Sequence, residues 1–339
     1  MDVFALTRSL IDIESVTGRE KAVGDCLFAT LSNLAAPSSG TVERMAVGPD
    51  RFNVLATWGI PEIVLSTHMD TVPPFFPSRE DKDFIRGRGA CDAKGILAAM
   101  ICAAEYLLAG GVRNFGLLFV VGEEKDSLGA LTAAKNPRGT KFLINGEPTQ
   151  NKLATGSKGA LRYLLTARGR LAHSAYPELG ESAIEKLLDA LNAVRNVQLP
   201  YDPLLGRSTL NIGTVSGGRA PNVIPDEAHA DLMVRTVGDP QPIRTALRAA
   251  VDGRVEMEEV LYTPALQLEK VPGFETTVVA YTTDIPNFRG AWGNPLLIGP
   301  GSIHVAHSAE ERIPKKELAD AIVIYAHLVQ RLLAKQGET

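Results

Sequence analysis

At the start of the chain Val3, Leu6, Leu10 and Ile11 recur at helical spacing, and Thr17 stands before a second such series, Val23, Leu27 and Leu31. The pattern predicts two opening helices. Short β-type runs follow. NVLATW (53–58) is one, and EIVLSTHMD (62–70) is nearly all apolar up to Thr67, which predicts a strand buried on both faces that leaves His68 where it quits the sheet. Beyond a loop rich in proline and charge from Pro73 to Arg88, KGILAAMICAAEYLLAG (94–110) is apolar almost all round, a buried helix ended by Gly110 and Gly111. Two further buried strands, GLLFVVGEE and KFLINGE, run into Glu123 and Glu124 and into Glu147. Three apolar strands that each deliver polar residues at their C-terminal ends, with helices between them, predict a mostly parallel α/β sheet with its site along one edge.

From about Gly156 the texture changes to alternating strands (LRYLLTARG, STLNIGTVSGG, EAHADLMVRT) and two helical segments, Ser182 to Val194 and Pro242 to Val251. This reads as a separate α+β insertion. The runs FETTVVAYTTDIPNF and NPLLIGPG and the amphipathic KKELADAIVIYAHLVQRLLAKQ return to the first texture. The expected organisation is a discontinuous catalytic domain, residues 1–155 and 265–339, around an inserted domain of residues 156–264.

Composition narrows the classes of function. Of the 339 residues 45% are hydrophobic and 22% charged, ordinary values for a globular protein with a full core. The balance of 35 basic against 39 acidic residues leaves a net charge of -4, so no large positive field is present to hold nucleic acid or an anionic membrane. A small-molecule partner is expected instead. The charged N-terminal stretch is unlike a secretory leader, and no apolar run reaches the length of a membrane span. Cys26, Cys91 and Cys102 fit reduced thiols better than a disulfide set, and a soluble, cytoplasmic protein is the expectation.

Seven residues stand out chemically. His68 and Asp70 form an HxD pair on one side of an extended segment, where a neutral imidazole can bind a divalent metal and a nearby carboxylate can fix its tautomer. Asp92, in GRGACDAKG just before the buried helix, fits an N-cap as well as a metal ligand. Glu123 and Glu124 end a buried strand side by side, which is costly for two carboxylates unless a cation or a shared proton compensates. Glu147 ends the third strand, and His307 lies in GPGSIHVAHSAEERI before the last helix. Each alone is more often structural. Two imidazoles and at least three carboxylates converging on one sheet edge favour a metal site, and a nitrogen and oxygen donor set without thiolate suits zinc, with cobalt or manganese as substitutes.

Taken in order, HMDTVP, GRGACDAKG, GEE, NGEPT and GPGSIHVAHSAEE closely resemble the motifs of the dinuclear zinc amidohydrolases and peptidases. That group includes acetylornithine deacetylase, succinyl-diaminopimelate desuccinylase, aminoacylase and carboxypeptidase G, and the resemblance covers nearly the whole chain. It implies two zinc ions per subunit: one on His68 and Glu147, the other on Glu124 and His307, with Asp92 bridging. It also implies Glu123 as general base, Asp70 orienting His68, and a cis peptide after Asp92.

Within the insertion, ARGRLAHSAYPELG resembles the family segment whose histidine, here His173, is offered across a homodimer interface to the other subunit's site as an oxyanion donor. A histidine capping the following helix is the plainer alternative. PNVIPDEAHADLMVR matches a second family segment, which makes Asn222 and Arg235 candidates for substrate binding, since an arginine fork suits a free carboxylate. Desuccinylases carry an arginine pair where this chain has Ser157 and Lys158, and a polar asparagine in the stretch of Ile303 and His304, so a succinylated substrate is disfavoured. His304 is a rival metal ligand to His307. The expected activity is hydrolysis of an N-acyl amino acid, of acetylornithine type, ahead of carboxypeptidase or dipeptidase action on a short peptide and, last, of a non-catalytic binding protein that keeps the fold. Domain closure with hinges near residues 155 and 265 is expected to accompany it.

Overall fold

The computed structural model describes residues 1–336. It resolves into two compact units, one made of Met1–Thr155, Leu268–Thr277 and Thr283–Thr339, the other of Gly156–Gln267 with Val278–Thr282. The second unit therefore runs three residues past the expected return at 265 and takes back a short segment after it. That segment is tied in by hydrogen bonds to its backbone oxygens: Lys158 N–H donates to Val279 O (3.1 Å), and Ser157 Oγ–H donates to Tyr281 O (2.6 Å).

The first unit opens with helices α1 (Val3–Ile11) and α2 (Lys21–Ala35), followed by strands β1 (Thr41–Gly48), β2 (Arg51–Trp58) and β3 (Ile63–His68). Helix α3 (Gly95–Ala109), β4 (Phe115–Val120), α4 (Leu128–Ala134) and β5 (Phe142–Asn145) complete the stretch before the second unit. In the second unit come β6 (Gly159–Arg168), α5 (Ala183–Arg195), β7 (Thr209–Gly217), β8 (Glu227–Thr236), α6 (Gln241–Val251) and β9 (Glu256–Thr263). The chain then supplies β10 (Asn294–Leu297) and the long α7 (Lys315–Gln336) to the first unit.

The six-stranded sheet of the first unit has the order β1-β2-β4-β3-β5-β10. The pairings β4 with β3, β3 with β5 and β5 with β10 are parallel, and only the β1–β2 and β2–β4 pairs are antiparallel. Alternation along the strands divides the core into two layers. Ile63, Leu65, Leu117 and Ile144 face a large cluster with α1, α2, α3 and α7, whereas Val64, Leu118 and Leu143 face a smaller one with α4 and the turn at Phe288 and Trp292. Buried on both faces, these strands need no polar alternation, which is why their sequences read as unbroken apolar runs. Burial of each Leu or Ile there contributes roughly 1.5–3 kcal/mol.

Two glycines serve the strand ends. Gly146 follows β5 where any Cβ would meet Met100 and Ile96 of α3. Gly122, at φ +84°, turns the chain out of β4 in a conformation that favours glycine, and so sets down Glu123 and Glu124. Strand β1 was not expected from the sequence. Its residues TVERMAVG are mostly exposed, with Met45 alone buried, so hydrophobic patterning gives little sign of it.

In the second unit the order β7-β8-β6-β9 is antiparallel throughout, with α5 and α6 packed on one face through Leu187, Leu191, Ile243 and Leu247. Ser182 caps α5, its side chain accepting from Glu185 N–H at 3.2 Å. Among the described residues no helix is long and apolar enough to cross a membrane.

Candidate metal centre

His68 is the last residue of β3 and is 1% exposed. Its Nδ1 lies 2.9 Å from the backbone oxygen of Asp70, and its Nε2 lies 2.9 Å from Asp92 Oδ1. The first contact fixes the ring; the second brings in the turn before α3. Asp92 was open to reading as the cap of that helix. The structure gives the N-cap position to Lys94, and the Asp92 side chain turns instead to the two histidines. The Asp92–Ala93 peptide is cis.

The two oxygens of Asp92 part company: Oδ1 faces His68, and Oδ2 lies 3.3 Å from His307 Nε2. His307 Nε2 is also 3.0 Å from Glu124 Oε1. Ligand atoms of His68, Asp92 and Glu124 all lie within 4.8 Å of one another. His304, the rival, makes no side-chain contact with these carboxylates among the described residues, its backbone N–H turning to Ser302 Oγ (3.4 Å). Cys91, the neighbouring thiol, is directed to Ser302 O and Glu311.

Asp70 does something the sequence pattern does not show. Its carboxylate is 3.6 Å from His68 Nδ1, too far for the hydrogen bond that its backbone oxygen makes. Instead Oδ1 accepts from Gly122 N–H (2.9 Å) and Glu123 N–H (3.1 Å), and Oδ2 from Glu124 N–H (3.2 Å) and Thr17 Oγ–H (2.7 Å). One buried carboxylate thus orders the backbone that carries both glutamates, and His68 is oriented by the carbonyl. Burial alone would raise the Asp70 carboxyl, but the nearby His68 ring and the hydrogen bonds from Thr17 and the Glu124 amide hold it below its ordinary range.

The electrostatics express crowding of negative charge. Burial, then the field of Glu147, pushes Glu123 well above the ordinary carboxylate range. Burial and Asp92 do the same to Glu147, and Glu124 is raised by burial although His307 opposes it. Asp92 goes the other way: burial is outweighed by hydrogen bonds from His307 and His68, which hold it low. Hydrogen bonds to Asp92 and Glu124 push His307 up to about 10. For His68, attraction to Asp70 and Asp92 overcomes burial and raises it as well. Carboxylates packed this closely repel one another, and a divalent cation is what such imidazole and carboxylate donors fit.

One residue here escaped sequence reasoning, and a second was read only as part of the AHxxxE spacing that favours His307. Asp284 is buried, with its carboxyl raised to about 7 by burial, and its charge acts on both Glu123 and Glu147. Glu311, inside the HSAEE stretch, is buried against Arg88 and the Asp92 turn. Asp284 does not stand at a strand end, and a lone acid in a loop carries no signal of its own; Glu311 is visible in the motif, but its partners are not.

The sequence model of the peptidase family M20/M25/M40 matches residues 64–331. The chain belongs to this family. As an M20 chain it is a hydrolase, and its fold, a mostly parallel sheet with an inserted α+β unit, is the one its solved neighbours share. It is 39% identical to a probable carboxypeptidase of Aspergillus terreus over 95% of this chain and 84% of that one. Among solved structures, the aminopeptidase PepT of Bacillus cereus superposes with a TM-score of 0.79 at 19% identity, covering 98% of both chains. A dinuclear metal binding peptidase of the M20 family from Bacillus subtilis superposes with a TM-score of 0.69 at 16% identity, covering 96% of each.

The remaining expected residues lie in the second unit. His173 is exposed, and its Nδ1 accepts from Ala175 N–H at 3.2 Å, which leaves the ring proton on Nε2. The helix cap is Ser182, so His173 does not cap α5. Ser174 N–H donates to Asn222 O (3.0 Å), and His173 pairs with Val223, so the two family segments are joined side by side. Arg235, on β8 opposite Ala160, is partly buried and has no carboxylate partner among the described residues. Burial lowers its pKa. Ser157 and Lys158 are spent on backbone oxygens, those of Tyr281 and Arg207.

Proposed function

We propose that this M20 hydrolase cleaves an amide bond whose leaving group is an amino acid with a free α-carboxylate. The observation that carries the reading is the meeting of His68, Asp92, Glu124 and His307, with each oxygen of Asp92 turned to a different histidine. On this reading His68, Glu147 and Asp92 would hold one ion, and Glu124, His307 and Asp92 would hold a second. Bound there, a pair of divalent ions, zinc in this reading, supplies the Lewis acidity that activates water and polarises a carbonyl. The donor chemistry fits zinc and tolerates cobalt or manganese.

The chain's own residues do the rest. Glu123 accepts a proton from the attacking water on its carboxylate and returns it to the departing amine. Asp70 holds Glu123 and Glu124 in place by their backbone N–H groups. His173, with its proton on Nε2, is fitted to donate to a developing oxyanion. Asn222 and Arg235 are assigned to the substrate, and the unpaired guanidinium of Arg235 suits its carboxylate. A homodimer through the second unit is part of this proposal. Strand β7 is an edge with one neighbour, and with exposed Leu188 and Val215 it borders an apolar groove that a second copy can cover.

An N-acyl amino acid and a C-terminal peptide bond present the same acyl–NH–CHR–COO⁻ unit. The preference for an acetylornithine-type substrate drawn from sequence has no further support, and the carboxypeptidase name of a relative 39% identical favours peptides at least as well. A screen of N-acetyl, N-succinyl and N-formyl amino acids beside dipeptides, before and after chelation and zinc return, tests the reading. Chelator-sensitive turnover is expected, with Arg235→Lys raising KM about 10- to 100-fold, since loss of a charge-assisted fork costs about 1.5–3 kcal/mol. No turnover of any of these with zinc restored overturns it.

A further inference from the structure

Glu311 stands four residues beyond His307, and its side chain is 1% exposed. Its Oε2 accepts from Arg88 Nη1 at 2.6 Å, and its Oε1 accepts from the backbone N–H groups of Cys91 and Asp92, both at 3.3 Å. Its own backbone oxygen accepts from Gly87 N–H at 3.2 Å, and the following residues Arg312–Pro314 pair antiparallel with Phe84–Arg86. Arg88, 2% exposed, donates its Nε to Pro74 O at 3.2 Å. A single carboxylate therefore ties the loop that delivers His307 to the turn that delivers Asp92.

A buried ion pair of this kind is weak evidence for stability, because desolvating both charges offsets most of their attraction. Its geometry is better suited to fixing a register. With both lone-pair directions of the carboxylate used, the Asp92 backbone is held from the side of the chain that also carries His307, whose Nε2 lies 3.3 Å from Asp92 Oδ2. We propose that Glu311 is a positioning residue that fixes Asp92 relative to His307 and thereby sets the affinity for the divalent ion on the His307 side. The inference rests on the two-ion reading above. Groups that hold a ligand from behind typically change metal affinity or activity 10- to 100-fold when replaced.

The test is a calorimetric titration of metal-free wild type and Glu311→Gln with zinc, alongside the visible absorption of the cobalt forms. In the variant the amide oxygen still faces Cys91 and Asp92, but its NH₂ meets Arg88 donor to donor. The first equivalent should bind as in wild type and the second about 10- to 100-fold more weakly, with a changed cobalt band. Two equivalents bound with wild-type affinity and spectrum overturn the proposal, even where the metal-free variant melts lower, because that pattern is purely structural. A wild type that binds no zinc overturns the two-ion reading and this inference together, which separates the two failures. If Glu311→Gln does not fold, Glu311→Asp serves in its place. It keeps the charge for Arg88 and draws it back from the amides, so a weaker second equivalent is again expected and an unchanged one refutes the role.

Discussion

His68 and His307 meet the same aspartate from different settings. His68 ends a strand buried along its whole length and is 1% exposed, with its second ring nitrogen held by the Asp70 carbonyl. His307 sits in a loop at φ +61°, its side chain is 49% exposed, and the carboxylates of Glu124 and Asp92 are its partners. The glutamates divide likewise. Glu123 feels Glu147, His68 and Asp284, all buried, whereas Glu124 is hydrogen-bonded to His307. One side is set by the sheet; the other depends on loop contacts and on whatever cation the carboxylates share.

The largest effect should separate the paired glutamates. Glu123→Gln is expected to lower turnover about 10²- to 10⁴-fold while both metal equivalents stay bound, the usual loss when a general base is removed. Glu124→Gln should instead release one equivalent. Metal analysis of the two purified variants decides: metal lost from Glu123→Gln and kept by Glu124→Gln would reverse the assignment and collapse the division between buried and exposed sides.

Next in size is the contrast between the histidines themselves. A ligand held in place before the metal arrives loses less entropy on binding than one ordered at that moment. His307→Ala should therefore keep about one equivalent of zinc at near wild-type affinity, and a mild chelator should strip wild type in two stages, the His307 side first. His68→Ala removes a ligand from the ordered side and should weaken the tighter equivalent by about 10-fold or more. Dialysis against buffered zinc measures both, and a single-stage loss, or a His307→Ala protein that holds none, would show that the two sides behave as one.

The same contrast governs what could be read from the sequence. Residues such as His68, Glu123 and Glu147 announce themselves because each closes an apolar run, and a polar group at the end of a buried strand has few places to go. The turn carrying Asp92 was legible as glycine-rich, yet whether its side chain capped a helix or met a histidine depended on a contact with His307 more than 200 residues away. The role of Glu311 was hidden for the same reason: it was visible as the glutamate of AHxxxE, but its partner Arg88 is 223 residues distant and no periodicity links them. Asp70 was legible as a partner of His68 but not as the acceptor for the Gly122–Glu124 amides, because alternation predicts which side a residue takes only while the strand continues, and β3 stops at His68. The exposed strand β1 left little apolar pattern.

The smallest expected effect concerns the charge carried by the buried side. Neither oxygen of Asp284 has a hydrogen bond of ordinary geometry, and Ser127 and Asn287 compensate its burial only in part, so its carboxyl rises from 3.8 to about 7. A carboxyl raised in the folded protein favours folding while it holds its proton; that contribution is complete below the unfolded value and is lost as pH climbs through the folded one. Metal-free wild type should therefore lose stability relative to Asp284→Asn as pH rises from about 4 to about 7. The amide does not titrate, so the two melting curves should lie closest at the acid end and separate by a few degrees above neutrality, since the shift per kcal/mol falls below roughly 2–4 °C once a chain exceeds about 250 residues. Curves that stay parallel from acid to neutral pH would mean that Asp284 is ionised and compensated in the fold. The repulsion ascribed to the buried side would then rest on Glu123 and Glu147 alone.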